Sequence, residues 1–324
     1  MSPRIVFVTD MPDAAVVGRE MAPSGFELVI AAAKSPEYKE AMRTAEYLVG
    51  FVDKLVEPEL YKTGPKLKLI QLLSAGYDKA DLEAARKAQV PICNNGGANS
   101  VAVSEHAILL MLAASRQLIL QHKTVAAGNW RGNRAPRVHE LRGKTLGIVG
   151  LGTIGKKTAR LAAAFGMNLT YYDIARLTED AEDALGVRFR LLRELLRTSD
   201  IVTLHVPLNK TTRHMIGAEE LKLMKPSAIV VNTSRGPVID EAALYQALSK
   251  GAIAGAGLDV FDQEPPPADN PLFTLGNVTL TAHLAGPTFE SNITRVRNAF
   301  DNVQRVHRGE KPLWVVPELA ELVK

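Results

Sequence analysis

The sequence predicts an α/β protein with two parallel-sheet domains, the second inserted into the first. Three observations carry this: short β-rich runs alternate with helical patterns, a more regular series of the same kind starts near residue 145, and a lone helical stretch follows that series. In order, residues 5–8, 47–52 and 67–73 read as strands and 80–88 as a helix, which together make one α/β unit. A long amphipathic helix begins at Asn99 and Ser100, with Val101, His106, Leu109, Leu110, Leu112 and Ala113 on its apolar side. The polar arm at 128–142 has no period; such a segment inside a compact protein is commonly an interaction surface, here read as a subunit contact. Strands are then predicted at 145–149, 169–172, 201–204, 228–231, 255–258 and 278–281, with helical patterns between them. Residues 288–308 again have helical spacing, through Ile293, Val296, Phe300, Val303 and Val306, and are read as packing back on the first unit. The first domain is therefore placed at 1–98 plus 288–324, and the second at 99–287 with its helix and arm at about 99–142. No internal repeat of solenoid length is visible.

The 324 residues leave room for two sizeable cores, and 46% hydrophobic with 23% charged residues excludes a disordered or collagen-like chain. Lys and Arg exceed Asp and Glu by only four and form no basic stripe with interleaved aromatics, so nucleic acid is not the expected partner. The single Cys93 allows neither an intramolecular disulfide nor a thiolate metal site, and its apolar run at 90–93 suits burial. No metal is expected. The start of the chain lacks the apolar core of a secretion signal, and the longest apolar stretch, 107–114, is far below the roughly 18 residues of a bilayer span. A cytoplasmic protein without a membrane partner is the expectation.

The sharpest motif is Gly150-Leu151-Gly152-Thr153-Ile154-Gly155, directly after the apolar strand at 145–149 and directly before the helical run at 156–165. Glycines there permit a tight turn and close approach of the backbone to a pyrophosphate, while the helix N-terminus offers oriented N–H groups. Gly150, Gly152, Thr153, Ile154 and Gly155 are thereby assigned to a dinucleotide in a Rossmann-like domain. Asp173 ends the next strand, where a carboxylate can accept both ribose hydroxyls and repel a 2′-phosphate, which favours NAD. Arg176 lies close enough to meet a 2′-phosphate, although a solvated arginine is the commoner case.

Ligands of open parallel sheets sit beyond the carboxyl ends of the strands, which here carry His205-Val206-Pro207, Asn232-Thr233-Ser234-Arg235-Gly236, Asp259 and His283. An arginine, an acid and a histidine beside a nicotinamide suit hydride transfer to a carbonyl next to a carboxylate. His283 is the strongest of the seven histidines, since it ends a strand and is followed by Gly286, Pro287 and the helix-capping Thr288; His205 also ends a strand. His106, on the apolar side of a helix, reads as a satisfied core residue, and Glu264 as a loop acid stiffened by the prolines after it.

Together these segments resemble the D-isomer-specific 2-hydroxyacid dehydrogenase family, over nearly the whole chain. The likeness rests on the glycine loop, residues 73–78 (Leu-Ser-Ala-Gly-Tyr-Asp), 99–106, 205–208, 232–236, 257–265 and 281–283, in that family's order. It implies two Rossmann-like or flavodoxin-like domains, with the NAD-binding domain inserted into the substrate (catalytic) domain. It also implies that Arg235 grips the substrate carboxylate and carbonyl, His283 is the acid/base, and Glu264 orients and charges the imidazole. Asp259 would hold the nicotinamide carboxamide, and the N–H groups of Ala75 and Gly76, with Ser74, would complete the carboxylate site. His205, Val206, Pro207, Thr233 and Ser234, together with Arg235 and His283, would complete the cofactor contacts. A homodimer built on the helix at 99–117 and its arginine-bearing arm (Arg131, Arg134, Arg137) is implied as well. Ser104 departs from the alanine of many relatives and is read as a packing variation.

The resulting reading is an NAD-dependent oxidoreductase that reduces a 2-oxo acid (glyoxylate-, hydroxypyruvate- or pyruvate-like, or larger) to a D-2-hydroxy acid. Phosphite or formate oxidation on the same scaffold, or a non-catalytic NAD-sensing module similar to the C-terminal-binding corepressors, are the alternatives.

Overall fold

The computed structural model describes residues 2–130 and 137–323, which divide into two compact units: Met1–Asn99 with Pro287–Lys324, and Ser100–Gly286. In the first unit a five-stranded parallel sheet has the order β2-β1-β3-β4-β5, with β1 Arg4–Val8, β2 Glu27–Ala31, β3 Tyr47–Gly50, β4 Leu69–Leu72 and β5 Ile92–Cys93. Alternate side chains feed two cores. Ile5, Phe7, Tyr47, Val49 and Leu69 meet Val296, Ala299, Phe300 and Val303 of the helix Phe289–His307, while Val6, Leu48, Ile70 and Leu72 face the opposite side. A sheet covered on both faces needs near-continuous apolar strands, which is why these runs were legible.

The second unit holds a seven-stranded parallel sheet in the order β12-β11-β10-β9-β6-β7-β8. Its strands are β6 Thr145–Val149, β7 Asn168–Tyr172, β8 Val187–Phe189, β9 Ile201–Leu204, β10 Ile229–Asn232, β11 Gly255–Leu258 and β12 Val278–Leu280. The chain runs outward from β6 through β7 and β8 and then returns to β9 on the other side of β6. The order therefore reverses between β6 and β9, which is where a doubly wound sheet opens a crevice for a ligand.

Three strands were not expected: β2 and β8 lie at sheet edges, and β5 is two residues long. A further helix, Leu118–Ala126, precedes the arm. The helix Ser100–Ser115 forms, but the expected apolar side is corrected: Val101 and Leu109 are 53% and 49% exposed, and the buried face runs through Ala102, Val103, Ala107, Leu110, Met111 and Ala113. This helix is apolar nearly all round, so its period could not select a face. Among the described residues no single helix is long and apolar enough to cross a membrane.

Candidate functional site

At the carboxyl end of β6 the chain turns through Gly150, whose φ of +92° lies in the left-handed region and where a Cβ would come within 2.8 Å of the His205 backbone. A Cβ on Gly155 would lie 2.2 Å from the Gly150 carbonyl, so the helix Thr153–Ala164 can close on the turn only through glycine. Open space surrounds Gly152, and no side chain caps the helix start. The first helical N–H groups are thus left for an anion.

Asp173, at the end of β7, clamps this turn: the Leu151 N–H donates to its Oδ2 at 2.7 Å and the Ala175 N–H to its Oδ1 at 3.0 Å. A carboxylate has about four acceptor positions, so capacity remains for ribose hydroxyls. Arg176 is engaged elsewhere. Its Nε donates to Glu182 Oε1 at 3.0 Å, the Tyr171 hydroxyl donates to the same oxygen at 2.9 Å, and the guanidinium stacks on Phe189. Glu182 is buried; burial opposes its charge, yet the bonds from Arg176 and Tyr171 prevail and hold its carboxyl below the usual range. The arginine anchors an acid.

The turn after β10 is built by buried Asn232, whose Oδ1 accepts from the Ser234 N–H and hydroxyl at 3.0 and 2.8 Å and whose Nδ2 donates to the Arg235 carbonyl at 2.9 Å. Gly236 then lets the Phe261 backbone approach so closely that a Cβ would lie 1.9 Å from it. That contact sets Arg235 beside the loop bearing Glu264.

Glu264 accepts at Oε1 from the Phe261 N–H at 3.1 Å, and its Oε2 meets His283 Nδ1 at 2.7 Å. Burial resists its ionisation, but the bond and charge of His283, the Phe261 N–H and nearby Arg235 outweigh it and hold the carboxyl below its ordinary value. An ionised carboxylate only accepts, so Nδ1 carries the hydrogen and Nε2 is the atom turned to chemistry. The His283 side chain is 46% exposed, and its backbone sits in the left-handed region at φ +53°. A recess of about 460 Å³, walled by Phe261, Pro265, Phe273, Leu280 and Ala282, adjoins the pair and lowers its surrounding polarity.

Asp259 is fully buried and holds the His283 loop: Thr281 Oγ1 donates to Oδ1 at 2.6 Å, and the Leu284 and Ala285 N–H groups donate to Oδ1 and Oδ2 at 2.9 Å each. Since Thr281 spends its only hydrogen on Asp259, it accepts from His106 Nε2 at 2.9 Å. His106 is thus the satisfied histidine expected, but it belongs to the network under the site. His205 bonds Thr203 Oγ1 at 3.1 Å, and burial pushes its imidazole down to about 4, which removes it as a proton donor near neutrality. Val206 and Pro207 continue from it at the end of β9.

In the first unit, Ser74 Oγ donates to the Gly76 carbonyl at 2.7 Å and Asn94 Nδ2 to the Ala75 carbonyl at 2.8 Å. The N–H groups of Ala75 and Gly76 find no acceptor among the described residues. Arg131 and Arg134 lie outside the described residues; Arg137 is exposed. Sequence reasoning gave no role to Gly236 or Thr281, nor to Ile174, an isoleucine 97% exposed beside Asp173. A bulky apolar residue directly after the acidic strand end was the available signal for Ile174.

The open cradle at Gly152, the uncapped helix start and the orphaned buried Oγ1 of Thr233 and Nδ1 of His205 suit a dinucleotide. Comparison with known proteins agrees. Residues 108–285 match the model of the D-isomer specific 2-hydroxyacid dehydrogenase NAD binding domain. A glyoxylate reductase of Korarchaeum cryptofilum is 39% identical over 331 residues, spanning 100% of this chain and 98% of its own. The crystal structure of a glyoxylate reductase from Paecilomyes thermophila has a TM-score of 0.86 at 32% identity, covering 98% of this chain and 99% of that one. D-lactate dehydrogenase from Aquifex aeolicus, crystallised with NAD and lactic acid, has a TM-score of 0.81 at 29% identity over 94% and 96% of the two chains. The chain belongs to the D-isomer specific 2-hydroxyacid dehydrogenase family. It is an oxidoreductase that uses NAD to interconvert a 2-oxo acid and a D-2-hydroxy acid.

Proposed function

We propose that Arg235, Glu264 and His283 carry the reaction, on a small 2-oxo acid of the glyoxylate or pyruvate kind. Bound NADH supplies the hydride to the carbonyl carbon. Arg235 holds the substrate carboxylate and carbonyl with its planar fork, and His283 Nε2 gives its proton to the carbonyl oxygen, so the C=O bond becomes CH–OH. Glu264 fixes the tautomer by accepting from Nδ1. Gly150, Gly152, Thr153, Ile154, Gly155 and Asp173 bind the pyrophosphate and ribose. His205, Val206, Pro207, Thr233, Ser234 and Asp259 line the nicotinamide side, and Ser74, Ala75 and Gly76 supply N–H groups to the carboxylate.

The observation that carries this reading is the 2.7 Å bond between Glu264 Oε2 and His283 Nδ1 on a half-exposed imidazole. The exposed apolar side chains Val101, Leu109, Leu118, Ile119, Leu120 and Val125 support a homodimer through the helices Ser100–Ser115 and Leu118–Ala126. The family's usual chemistry on soluble acids fits a cytoplasmic location. Following NADH oxidation with a panel of 2-oxo acids tests the reading: turnover that His283→Ala abolishes supports it. Tight NADH binding with no acid reduced would favour the corepressor-like module instead.

A further inference from the structure

His283 carries its imidazole on a backbone held at φ +53°, a left-handed conformation that costs a non-glycine residue free energy and persists only where the surroundings over-determine it. Asp259 supplies that restraint. Its carbonyl accepts the His283 N–H at 2.8 Å, and its carboxylate accepts the next two N–H groups, Leu284 on Oδ1 and Ala285 on Oδ2. The turn that presents the acid/base is thus folded around one buried side chain, whose own position has to be fixed.

The helix Ser100–Ser115 reaches that side chain. Gly257 pairs with Thr279 in the register of β11 and β12, and Asp259 and Thr281 follow two residues later on the same face of the sheet. A Cβ on Gly257 would lie 2.9 Å from the Leu110 Cβ, so the helix seats closely on this face. His106, one turn before Leu110, falls over Asp259 and Thr281. Its Nε2 lies 2.9 Å from Thr281 Oγ1 and 3.5 Å from Asp259 Oδ1, and the ring is mostly buried. The Thr281 hydroxyl gives its one hydrogen to Asp259 Oδ1 at 2.6 Å, so toward His106 it can only accept, and Nε2 must carry a hydrogen. Without that N–H the hydroxyl would lose its donor and be free to turn from the carboxylate. All these residues belong to the unit Ser100–Gly286.

We propose that His106 is a positioning residue for the acid/base: its Nε2–H commits the Thr281 hydroxyl to Asp259, and the carboxylate so held keeps His283 in the turn from which its imidazole meets Glu264. This rests on the reaction proposed above. The test is NADH-dependent glyoxylate reduction in His106→Leu, His106→Gln and His106→Asn. His106→Leu should lower kcat by about three- to tenfold, the scale of one neutral hydrogen bond, and leave KM for glyoxylate within about twofold, because Arg235 grips the carboxylate. His106→Gln, whose amide can place an N–H where the imidazole Nε2–H stands, should keep kcat within about twofold of wild type, whereas His106→Asn is too short and should match His106→Leu. Adding Thr281→Val to His106→Leu should cost no more than the worse single change, since both break one relay. Amide exchange of residues 281–286 gives a readout independent of turnover: it should quicken in His106→Leu and His106→Asn and stay slow in His106→Gln. Wild-type kcat in His106→Leu and His106→Asn, equal losses in His106→Gln and His106→Leu, losses that multiply with Thr281→Val, or exchange that no variant alters overturns the proposal. Should His106→Leu not fold, the contrast between His106→Gln and His106→Asn decides. If the wild type reduces no acid, the proposed reaction fails, and amide exchange still decides whether His106 holds the loop.

Discussion

At the residue scale, the glycine turn and its neighbours divide the work between holding the backbone and leaving groups exposed. Asp173 is tied to Leu151 and Ala175, and Arg176 is tied to buried Glu182. Taken by sequence alone, Arg176 would be free to welcome a 2′-phosphate once Asp173 is gone. The structure changes that expectation, because freeing Arg176 leaves a buried acid without its cation. Asp173→Ala should therefore raise KM for NADH without a matching gain on NADPH, and a gain should need Glu182→Gln as well; comparing kcat/KM for both cofactors in the two variants checks this. For Arg235, whose fork lysine cannot copy, Arg235→Lys should lower kcat/KM for 2-oxo acids by at least about tenfold. NADH affinity, read by fluorescence quenching, should scarcely change. Unaltered kinetics would remove Arg235 from the carboxylate site.

Elements carry these residues to the place where they act, and here the sequence was readable in part. The strands of both sheet interiors were legible because burial on two faces demands apolar runs, and the carboxyl-end rule located Asp173, Arg235, Asp259 and His283. Edge strand β8 was not, since three residues with a central arginine carry no such run, whereas β2 does carry one, Leu28–Ala31, and was not read as a strand. The network of His106, Thr281 and Asp259 was also hidden, because it joins residues 175 and 22 positions apart that only the folded sheet brings together. Gly236 shows how an unremarked residue sets an element's position. With a Cβ only 1.9 Å from the Phe261 backbone, Gly236→Ala must push the Glu264 loop away. It should lower kcat by about tenfold or more while NADH binding holds within about twofold, since the glycine turn is distant in sequence. Equal loss of both would indicate general misfolding, which circular dichroism can show.

For the whole molecule, the division into Met1–Asn99 with Pro287–Lys324 and Ser100–Gly286 places the dinucleotide turn and the acid/base pair in one unit and Ser74–Gly76 in the other. The apolar side chains left exposed on Ser100–Ser115 and Leu118–Ala126 make association testable. Sedimentation should give a dimer, and Leu109→Asp with Leu120→Asp should give a monomer, because each places a charge on a surface proposed to lose water. A wild-type monomer at micromolar concentration would refute the interface.

The claim on which everything else depends is that His283, oriented by Glu264 through the 2.7 Å bond at Nδ1, delivers the proton. Reduction needs a proton at the carbonyl oxygen, and a ring without its carboxylate acceptor no longer holds Nε2 in place to give it. The decisive measurement is kcat/KM for glyoxylate reduction in wild type, Glu264→Gln and His283→Ala, with NADH binding followed in parallel. His283→Ala should lose roughly a hundred- to ten-thousandfold and Glu264→Gln a smaller factor, with NADH still bound in both. Unchanged kinetics in Glu264→Gln, or a His283→Ala enzyme that keeps wild-type turnover, would contradict it.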